Sequence, residues 1–571
     1  MRAAPFSRIP AIDMKRLLSF FLAVTTAVAA GAQVLSVEGP RTRVPQYGRA
    51  DFSIVLKGTW NNPYLQEEAT LDLVLTAPSG KTLVLPCFFV EGKSGAESRW
   101  AARFTPQEQG RYSYAFRYAE RGRPVSESPK GGFEAGKPAG HGILHPRDNW
   151  TLAFDDGTPF RGVAENICWE SRDSDDSKFF SELHEQADRY NYDVMLPQFA
   201  GAGGNFCRMW MCSWNFPIDR HDRFNNRRYQ PSDEYFNPSA TARLDHTVEL
   251  AERLGLYIML CMGAGDARTG HDFFVSDAAK ARHRNYLRYI VARWGYSPAI
   301  GMWEFFNEID NIQFRDQRNP IPAADIVAWH AEMASYLKSI DPYGHIVTTS
   351  ISHRDLAGLN DVKDMDINQK HIYRATASIP ETIYRYEEAH GKPYVIGEFS
   401  FEWDWSKNFD DFGEDMDLDF KRGLWYGLFS PTPITPMSWW WEYFENRGLV
   451  PYFRNVRYVN DRMLKYGNGT FEEVPVATPV VDDTVAPVST FAVRCGSRVY
   501  VYACNPEEEP VRPVLEVAVE GALKMAPKVV PFDFGKARFR GGKRVKPVNG
   551  SVTIPLELAP RSEALYEIIL K

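Results

Sequence analysis

The sequence has 571 residues, which is more than one domain usually holds, so two to four domains are expected. Its formal net charge is −7 and it contains no run of Lys or Arg, which argues against nucleic acid as a partner. Apolar residues make up 44% of the chain, an ordinary fraction for a globular protein with a large core.

The first 32 residues resemble a secretory signal peptide. Lys15 and Arg16 supply a positive region, residues 17–24 open an apolar region, and Ala30-Gly31-Ala32 fits the small-x-small cleavage rule. Cleavage there would leave Gln33 as the new N-terminus, followed by no cysteine that could carry a lipid. No later apolar run is long enough to span a membrane. The sequence therefore predicts a secreted or periplasmic protein.

Residues 34–136 have an all-β pattern. Residues 51–56 and 70–75 alternate in part between apolar and polar side chains, with a Pro-Ser-Gly-Lys turn after the second run. Gly110-Arg111-Tyr112 leads into another alternating strand and resembles the strand-end corner of immunoglobulin-like sandwiches. We therefore expect an N-terminal immunoglobulin-like β-sandwich.

Strand and helix patterns alternate over residues 146–470, which is typical of a parallel sheet covered by helices. Helices are predicted at 177–190, 244–254, after a Ser276 cap, at 323–340 and at 457–466. Eight such units predict a closed (β/α)₈ barrel with its site at the strand ends. The predicted strands are 160–164, 205–210, 256–260, 300–306, 346–350, 367–373, 394–397 and 435–441.

The end of the chain predicts a third domain. Residues 474–488 are rich in Pro, Val, Asp and Thr and are typical of an extended linker, and residues 486–571 are long enough for a small C-terminal β-sandwich. The seven cysteines are odd in number and indicate no disulfide framework. No Cys/His spacing indicates zinc, and the sequence predicts neither a metal nor another cofactor.

Two predicted barrel strands end in a glutamate. The run Trp303-Glu304-Phe305-Phe306-Asn307 leads to Glu308, and Ile396-Gly397 leads to Glu398. Glycoside hydrolysis needs such a pair, one carboxyl group to protonate the leaving oxygen and one to attack the sugar carbon. Alternatively, Glu308 begins a helix and Glu398 lies in an ordinary loop.

Both motifs are similar to those of clan A glycoside hydrolases, the cellulase-type (β/α)₈ enzymes, at their fourth and seventh strands. The second strand with Arg208, the His371-Ile372-Tyr373 run and the tryptophans of the eighth strand are similar to clan positions too. The resemblance covers residues 146–466. The preceding sandwich resembles an uncharacterised domain of bacterial polysaccharide-degrading enzymes.

The resemblance implies a role for each matching residue. Glu308 would be the acid/base and must carry a proton when the leaving oxygen departs, which a partly apolar, anionic setting favours. Glu398 would be the nucleophile, kept ionised by Arg208, and Asn307 would hydrogen-bond the sugar 2-hydroxyl. Arg208 could instead form a structural ion pair.

The remaining matching residues would shape the pocket. Tyr373 would orient Glu398, and His371 would line the pocket or simply form its wall. Trp439 and Trp441 would share one face of the eighth strand, so that one of them floors the sugar site, unless both belong to the core. The loop at 401–405 carries aromatic and acidic residues and could form a sugar subsite or a packed surface loop.

The sequence thus predicts a secreted retaining β-glycoside hydrolase that acts on a polysaccharide or oligosaccharide. We expect the carboxyl groups of Glu308 and Glu398 to lie roughly 5–5.5 Å apart, the separation typical of retaining enzymes. Two alternatives remain open: an inactive carbohydrate- or matrix-binding protein, and a transglycosylase, which shares the first chemical step but excludes water.

Overall fold

The structure is a computed structural model that describes residues 32–170, 190–222, 224, 226, 228–263, 269–478, 488–519 and 524–570. The predicted signal peptide, apart from its last residue, and the predicted helix at 177–190, apart from Tyr190, lie outside the described residues. No helix in the described part of the chain has both the length and the apolar character needed to cross a membrane.

The N-terminal region is a sandwich of two sheets. One has the strand order β1-β3-β7-β6, and the other has the order β2-β10-β8-β4-β5 with β9 beside β8. Phe52 and Phe116 join the two sheets edge to face, with ring centroids 5.7 Å apart. The strands are β1 (Gln33–Glu38), β2 (Val44–Gln46), β3 (Ala50–Lys57), β4 (Ala69–Thr76), β5 (Thr82–Pro86), β6 (Phe88–Gly92), β7 (Glu97–Phe104), β8 (Gly110–Glu120), β9 (Arg123–Glu127) and β10 (Gly131–Pro138).

The predicted corner at Tyr112 is present at the start of β8. Its hydroxyl accepts a hydrogen bond of 2.9 Å from the backbone N–H of Glu108, which ties the strand to the preceding loop. This is the kind of contact that a tyrosine corner makes. The assignment to the immunoglobulin-like class stays a prediction.

A small sheet of three strands follows and closes the bottom of the barrel. Its strands are β11 (Leu144–Pro146), β12 (Leu152–Phe154) and β13 (Pro159–Phe160). Phe160 was predicted to begin the first barrel strand, and this prediction is wrong because its side chain fills the barrel floor. The floor cluster joins residues of this sheet to inward-facing barrel residues: Leu144, Leu152, Phe154, Phe160, Phe206, Met259, Met302, Ile346, Ile367, Val395 and Ile434.

The barrel consists of parallel strands in chain order, and the fifth strand is split into β18 and β19. Residues 434–438 take the eighth position, where Ile434 pairs with Gly162, and Ser438 pairs with both Glu165 and Phe399. The barrel strands are β14 (Ala164–Asn166), β15 (Phe206–Trp210), β16 (Tyr257–Cys261), β17 (Ile300–Glu304), β18 (Ile346–Thr348), β19 (Ser350–Ile351), β20 (Asn368–Tyr373) and β21 (Tyr394–Ser400).

The helices of the described residues surround these strands. The predicted helix at 323–340 has the predicted bounds, whereas the helix predicted at 244–254 begins earlier because Asn237 caps it and Pro238 opens it. They are α1 (Tyr192–Gly201), α2 (Pro238–Leu254), α3 (His271–Val275), α4 (Asp277–Trp294), α5 (Ile309–Gln313), α6 (Ala323–Ile340), α7 (Ile379–His390), α8 (Gly413–Leu428), α9 (Trp441–Asn446) and α10 (Phe453–Gly467), with 3₁₀ turns at Thr376–Ser378, Phe409–Phe412 and Val450–Tyr452.

The C-terminal region is a second β-sandwich. The extended linker predicted at 474–488 includes a short strand at its start, where residues 476–477 pair with residues 516–517, whereas residues 479–487 lie outside the described residues. All seven cysteines are buried and none forms a disulfide. The strands are β22 (Glu472–Glu473), β23 (Val476–Ala477), β24 (Ser489–Cys495), β25 (Arg498–Asn505), β26 (Val514–Ala518), β27 (Lys528–Asp533), β28 (Arg538–Phe539), β29 (Lys543–Arg544), β30 (Ser551–Pro555) and β31 (Ser562–Ile569).

Candidate active site

Polar side chains from several strands meet at the C-terminal mouth of the barrel. Arg208 comes from β15, Glu304 ends β17, His371 and Tyr373 belong to β20, and Glu398 belongs to β21. His371 lies opposite Glu398 in the register of the two strands. Because alternate residues of a strand point to the same side, His371 and Tyr373 both face the barrel interior.

The two predicted glutamates face each other across this mouth. One carboxylate oxygen of Glu308 and one of Glu398 lie within 4.8 Å of each other, and His371 lies between them. His371 Nδ1 is 2.9 Å from Glu308 Oε1 and 3.3 Å from Glu398 Oε2. The imidazole therefore fixes both carboxyl groups from one side, which makes it more than the pocket wall that the sequence suggested.

Glu308 occupies a left-handed backbone position, φ 48°, between β17 and α5. Its N–H donates to Ser350 Oγ at 2.9 Å, so the end of the fifth strand holds this strained turn. Its Oε2 accepts from Asn311 Nδ2 at 2.7 Å. The Glu308 side chain is 20% exposed, against 4% for Glu398, so Glu308 is the carboxyl group that solvent can reach.

Two donors and one imidazole surround the buried Glu398 carboxylate. Arg208 Nη1 donates to Oε1 at 2.7 Å, and the Tyr373 hydroxyl donates to Oε2 at 2.5 Å, as the sequence led us to expect. Burial raises the pKa of Glu398 above its usual value, and Glu308 adds to the rise. His371, Arg208 and the Tyr373 hydrogen bond oppose the rise by stabilising the charged form.

Arg208 is held in place by a second carboxylate, Glu304, which the sequence analysis missed. Arg208 Nε and Nη2 contact the two Glu304 oxygens at 2.6 and 2.8 Å, and both side chains are fully buried. A carboxylate within an otherwise apolar strand needs a buried partner, and this was the signal that could have revealed Glu304. The oxygen of Asn166 also accepts from Arg208, at 3.3 Å.

Asn307 is held on the barrel rim by hydrogen bonds to Arg208 and Gly263. Its Oδ1 accepts from Arg208 Nη2 at 2.8 Å, and its backbone N–H donates to Gly263 O at 2.9 Å. With Oδ1 occupied by the guanidinium, the amide Nδ2 is the group left to meet a sugar hydroxyl.

The two predicted tryptophans do not share a strand face. Trp441 is the first residue of α9, because the left-handed backbone of Trp440, φ 64°, ends the eighth strand segment. Trp441 is buried against Trp169, with ring centroids 4.7 Å apart, and belongs to the core. Trp439 is partly exposed and packs 5.4 Å from Trp210, over which the Arg208 guanidinium lies. Trp439 therefore remains the candidate for the sugar-site floor.

A cavity of about 480 Å³ opens at the ends of the second to fourth strands, and neither glutamate of the pair lines it. Met211, Met262, Gly263 and Phe306 form part of its wall, and Gly263 and Phe306 join this wall to Asn307. The cavity therefore lies next to Asn307, on one side of the rim of the site.

Glu308, His371 and Glu398 also form the kind of group that could hold a metal ion. Both Glu398 oxygens already accept hydrogen bonds from Arg208 and Tyr373, and a guanidinium so close repels a cation. The donor set therefore fits acid–base chemistry better than metal binding, and the expectation that the protein uses no metal stays a prediction.

Comparisons with known proteins point to glycoside hydrolases. The chain is 28% identical over 198 residues to mannan endo-1,4-beta-mannosidase 4 of Oryza sativa subsp. japonica, covering 30% of this chain and 39% of the relative. It is 25% identical to mannan endo-1,4-beta-mannosidase 8 of the same organism, covering 47% of this chain and 82% of the relative. The predicted resemblance to clan A glycoside hydrolases is confirmed. The chain spans 39 and 40% of two of the curated relatives it matches.

Two further comparisons concern the fold and the first domain. A crystal structure of a putative glycoside hydrolase from Bacteroides vulgatus superposes with a TM-score of 0.62 at 14% identity, over 93% of this chain and all of the other, which shows a shared fold. Residues 43–119 match a family described as a domain of unknown function, DUF5060. The N-terminal sandwich thus carries an uncharacterised domain, as its resemblance implied.

Proposed function

We propose that this protein is a retaining β-glycoside hydrolase that cleaves O-glycosidic bonds of a polysaccharide or oligosaccharide. The observation that carries the proposal is the glutamate pair, in which one carboxylate oxygen of each residue lies within 4.8 Å of the other and His371 Nδ1 lies 2.9 and 3.3 Å from the two. Inverting enzymes need a wider gap, roughly 6.5–9.5 Å, to admit a water molecule between base and sugar. The asymmetry of the pair assigns the roles: the exposed Glu308 meets the leaving group, and the buried, donor-rich Glu398 attacks.

The reaction proceeds in two displacements. First, a Glu398 oxygen attacks the anomeric carbon, the bond to the leaving oxygen breaks, and Glu308 gives its proton to that oxygen. A glycosyl ester on Glu398 results. Second, Glu308 takes a proton from water while the water oxygen attacks the same carbon, which releases the sugar and restores both carboxyl groups.

The surrounding residues lower the cost of these steps. Arg208 and Tyr373 hold one oxygen each of Glu398, so the carboxylate is aligned before attack and returns to a stabilised charge when the ester breaks. Asn307 Nδ2 would contact the 2-hydroxyl, a hydrogen bond that strengthens in the transition state. Trp439 would offer an apolar face to the sugar ring.

The names of the relatives suggest the first substrate to test. Several are mannan endo-1,4-β-mannosidases, so a β-1,4-linked mannan is our first candidate. The signal-like residues 15–32 support export, which would bring the enzyme to extracellular or periplasmic glycans. We expect the mature chain to begin at Gln33, and mass spectrometry of exported protein measures this directly.

An NMR time course of hydrolysis tests the proposal. We expect the first-formed sugar to keep the β configuration, and we expect Glu398→Gln to lose activity by orders of magnitude while Glu332→Gln, a change in a surface ion pair, stays near the wild-type rate. Glu308→Ala should fail most on poor leaving groups and be partly rescued by azide. An inverted first product, or an active Glu398→Gln variant, would refute the assignment.

The two alternatives give different results in the same assays. A carbohydrate-binding protein without activity would release no phenol from a panel of aryl β-glycosides. A transglycosylase would release phenol but would transfer the sugar to an added acceptor in preference to water.

A further inference from the structure

We propose that Trp403 and Arg374 form a platform on which a sugar ring of the glycan stacks, beyond the rings that flank the cleaved bond. This inference rests on the proposed function and adds a binding subsite to it. The platform would make the enzyme prefer chains over glycosides of a single sugar.

The first observation is that the exposed tryptophans lie in one loop. All fifteen tryptophans lie in the described part of the chain, and only Trp403 and Trp405 are exposed, by 53 and 78%. Both belong to the loop that follows Glu398 on the seventh strand. Exposed large apolar side chains that gather at one place are typical of binding sites.

The second observation is that the backbone at Trp403 is anchored by hydrogen bonds. The carboxylate of Glu402, which is buried, accepts from the backbone N–H groups of Trp403 at 2.9 Å and Asp404 at 3.1 Å, and from Arg374 Nε at 2.7 Å. Lys407 contacts its other oxygen. These donors lower the pKa of Glu402 to about 2, so the anchor stays charged at any ordinary pH.

Arg374 prepares one face of the indole. Its guanidinium carbon lies 5.1 Å from the centroid of the Trp403 ring, a cation–π arrangement. Arg374 itself has a left-handed backbone, φ 61°, and its N–H donates 3.0 Å to Ser400 O. With one face covered by a fixed cation, the rest of the ring is presented to solvent as a flat apolar surface, which suits the C–H-rich face of a sugar.

The platform is attached to the catalytic centre through two short paths. Arg374 directly follows Tyr373, whose hydroxyl bonds to Glu398. Trp403 follows Glu398 by five residues, a length of chain that spans at most ~18 Å. The backbone oxygen of Glu402 accepts from Trp440 Nε1 at 2.6 Å, next to Trp439. A chain bound at the glutamates would therefore reach Trp403 within a few sugar units.

The neighbouring Trp405 provides a matched control. It is more exposed than Trp403, yet within the described residues no ring or cation is found against it. If only exposed apolar surface mattered, replacing either tryptophan by alanine would weaken glycan binding. If Trp403 forms a subsite with Arg374, only its replacement should do so.

The test compares Trp403→Ala, Trp403→Phe and Trp405→Ala on a series of β-1,4-manno-oligosaccharides of increasing length and on an aryl β-mannoside, or on the corresponding series of whichever glycan the wild type cleaves. We expect Trp403→Ala to raise KM for the long substrates by about tenfold, with kcat and the rate on the aryl glycoside little changed. Trp403→Phe should recover part of the loss, and Trp405→Ala should resemble the wild type.

Three results would overturn the proposed platform. An active enzyme whose preference for long chains is unaltered by Trp403→Ala, or equally altered by Trp405→Ala, overturns the platform and leaves the proposed function intact. Equal losses on long substrates and on the aryl glycoside would mean that Trp403 only supports the fold near Glu398, which also overturns it. A wild type that cleaves no glycoside would refute the proposed function and the platform with it.

Discussion

Glu398 has two hydrogen-bond donors and a nearby imidazole, and its charge depends on all three groups. Burial alone would keep this carboxyl group neutral, and a neutral carboxyl group cannot attack a sugar. Arg208, His371 and Tyr373 each stabilise the ionised form, but the pKa still lies above the usual value of a glutamate. The acidic limb of the rate profile should therefore lie above the pH at which an ordinary glutamate titrates.

The first prediction concerns Tyr373→Phe. In the wild type, the hydrogen bond from Tyr373 to Glu398 Oε2 lowers the pKa of Glu398. The change removes this hydrogen bond, so the pKa of Glu398 should rise further. The acidic limb of kcat/KM against pH should then move to higher pH, and kcat should fall. The control is Tyr384→Phe, which loses a hydroxyl contact to Glu473 elsewhere. An unmoved acidic limb would show that another group governs it.

The second prediction concerns Glu304→Gln. Arg208 would keep a hydrogen-bond partner but lose the charge that balances it in a fully buried site. We expect the free energy of unfolding to fall by about 3 kcal/mol, because breaking a buried ion pair leaves a poorly compensated charge. The partly exposed Glu332, which pairs with Lys280 and Arg284, is the matched control. Glu332→Gln should cost about 1 kcal/mol or less in urea unfolding.

Sequence reasoning found the centre of this cluster but not its support. The predicted site residues Arg208, Asn307, Glu308, His371, Tyr373 and Glu398 do meet at the barrel mouth. Residues at the C-terminal ends of barrel strands all lie on the same face of the barrel, so short strand-end motifs were enough to predict this. Glu304 was part of the fourth-strand motif but received no role, because the resemblance assigned roles only to Asn307 and Glu308 there. The roles proposed for the site residues remain predictions that only kinetics can test.

At the scale of elements, sequence reasoning located the strands better than their ends. Internal strands of a barrel are buried on both faces, so their apolar runs stand out. The first and eighth strand positions were misplaced, since Phe160 belongs to the floor sheet and Trp441 to α9. Phe160 fills the barrel floor and Trp441 belongs to the core. Hydrophobic periodicity alone cannot distinguish such residues from the apolar residues of a buried strand.

One acidic residue joins the ends of the fourth and fifth strands. The buried carboxylate of Asp310, on α5, accepts from Ser352 N and Oγ, both at 2.7 Å, and from the N–H groups of His353 and Arg354 at 3.2 and 3.1 Å. These contacts lower the pKa of Asp310 despite its burial. They tie the start of α5, which directly follows Glu308, to the loop that directly follows β19.

The third prediction concerns Asp310→Asn. The amide can accept fewer of these hydrogen bonds, and we expect the free energy of unfolding to fall by about 2 kcal/mol near neutral pH. Because the folded pKa of Asp310 lies below the unfolded one, its contribution is present above the unfolded pKa and is lost as the pH falls through the folded pKa. The difference between wild type and variant in urea unfolding should therefore shrink in acid. A constant difference would contradict this tether.

At the scale of the whole molecule, the barrel and the two sandwiches share one apolar core. On the N-terminal side, Arg103 forms a bidentate ion pair with Asp245 of α2, at 2.8 and 3.2 Å. On the C-terminal side, the Arg462 guanidinium contacts both oxygens of Glu567, at 2.6 and 2.8 Å. The composition of residues 474–488 predicted an extended linker before a third domain, but composition does not indicate which surfaces of that domain contact the barrel.

The fourth prediction follows from the C-terminal contact. Trp425 of α8 stacks on Tyr502 of β25 with ring centroids 5.5 Å apart, and both are fully buried. Ending the chain at Val474 would expose this aromatic face, so we expect an aggregating or strongly destabilised protein. In the full chain, Tyr502→Ala should cost about 3–5 kcal/mol, whereas Val548→Ala, at a position 63% exposed, should cost little. Thermal unfolding and gel filtration check both. A truncated protein that remains monomeric, with the melting temperature and activity of the full chain, would show that the C-terminal sandwich is dispensable.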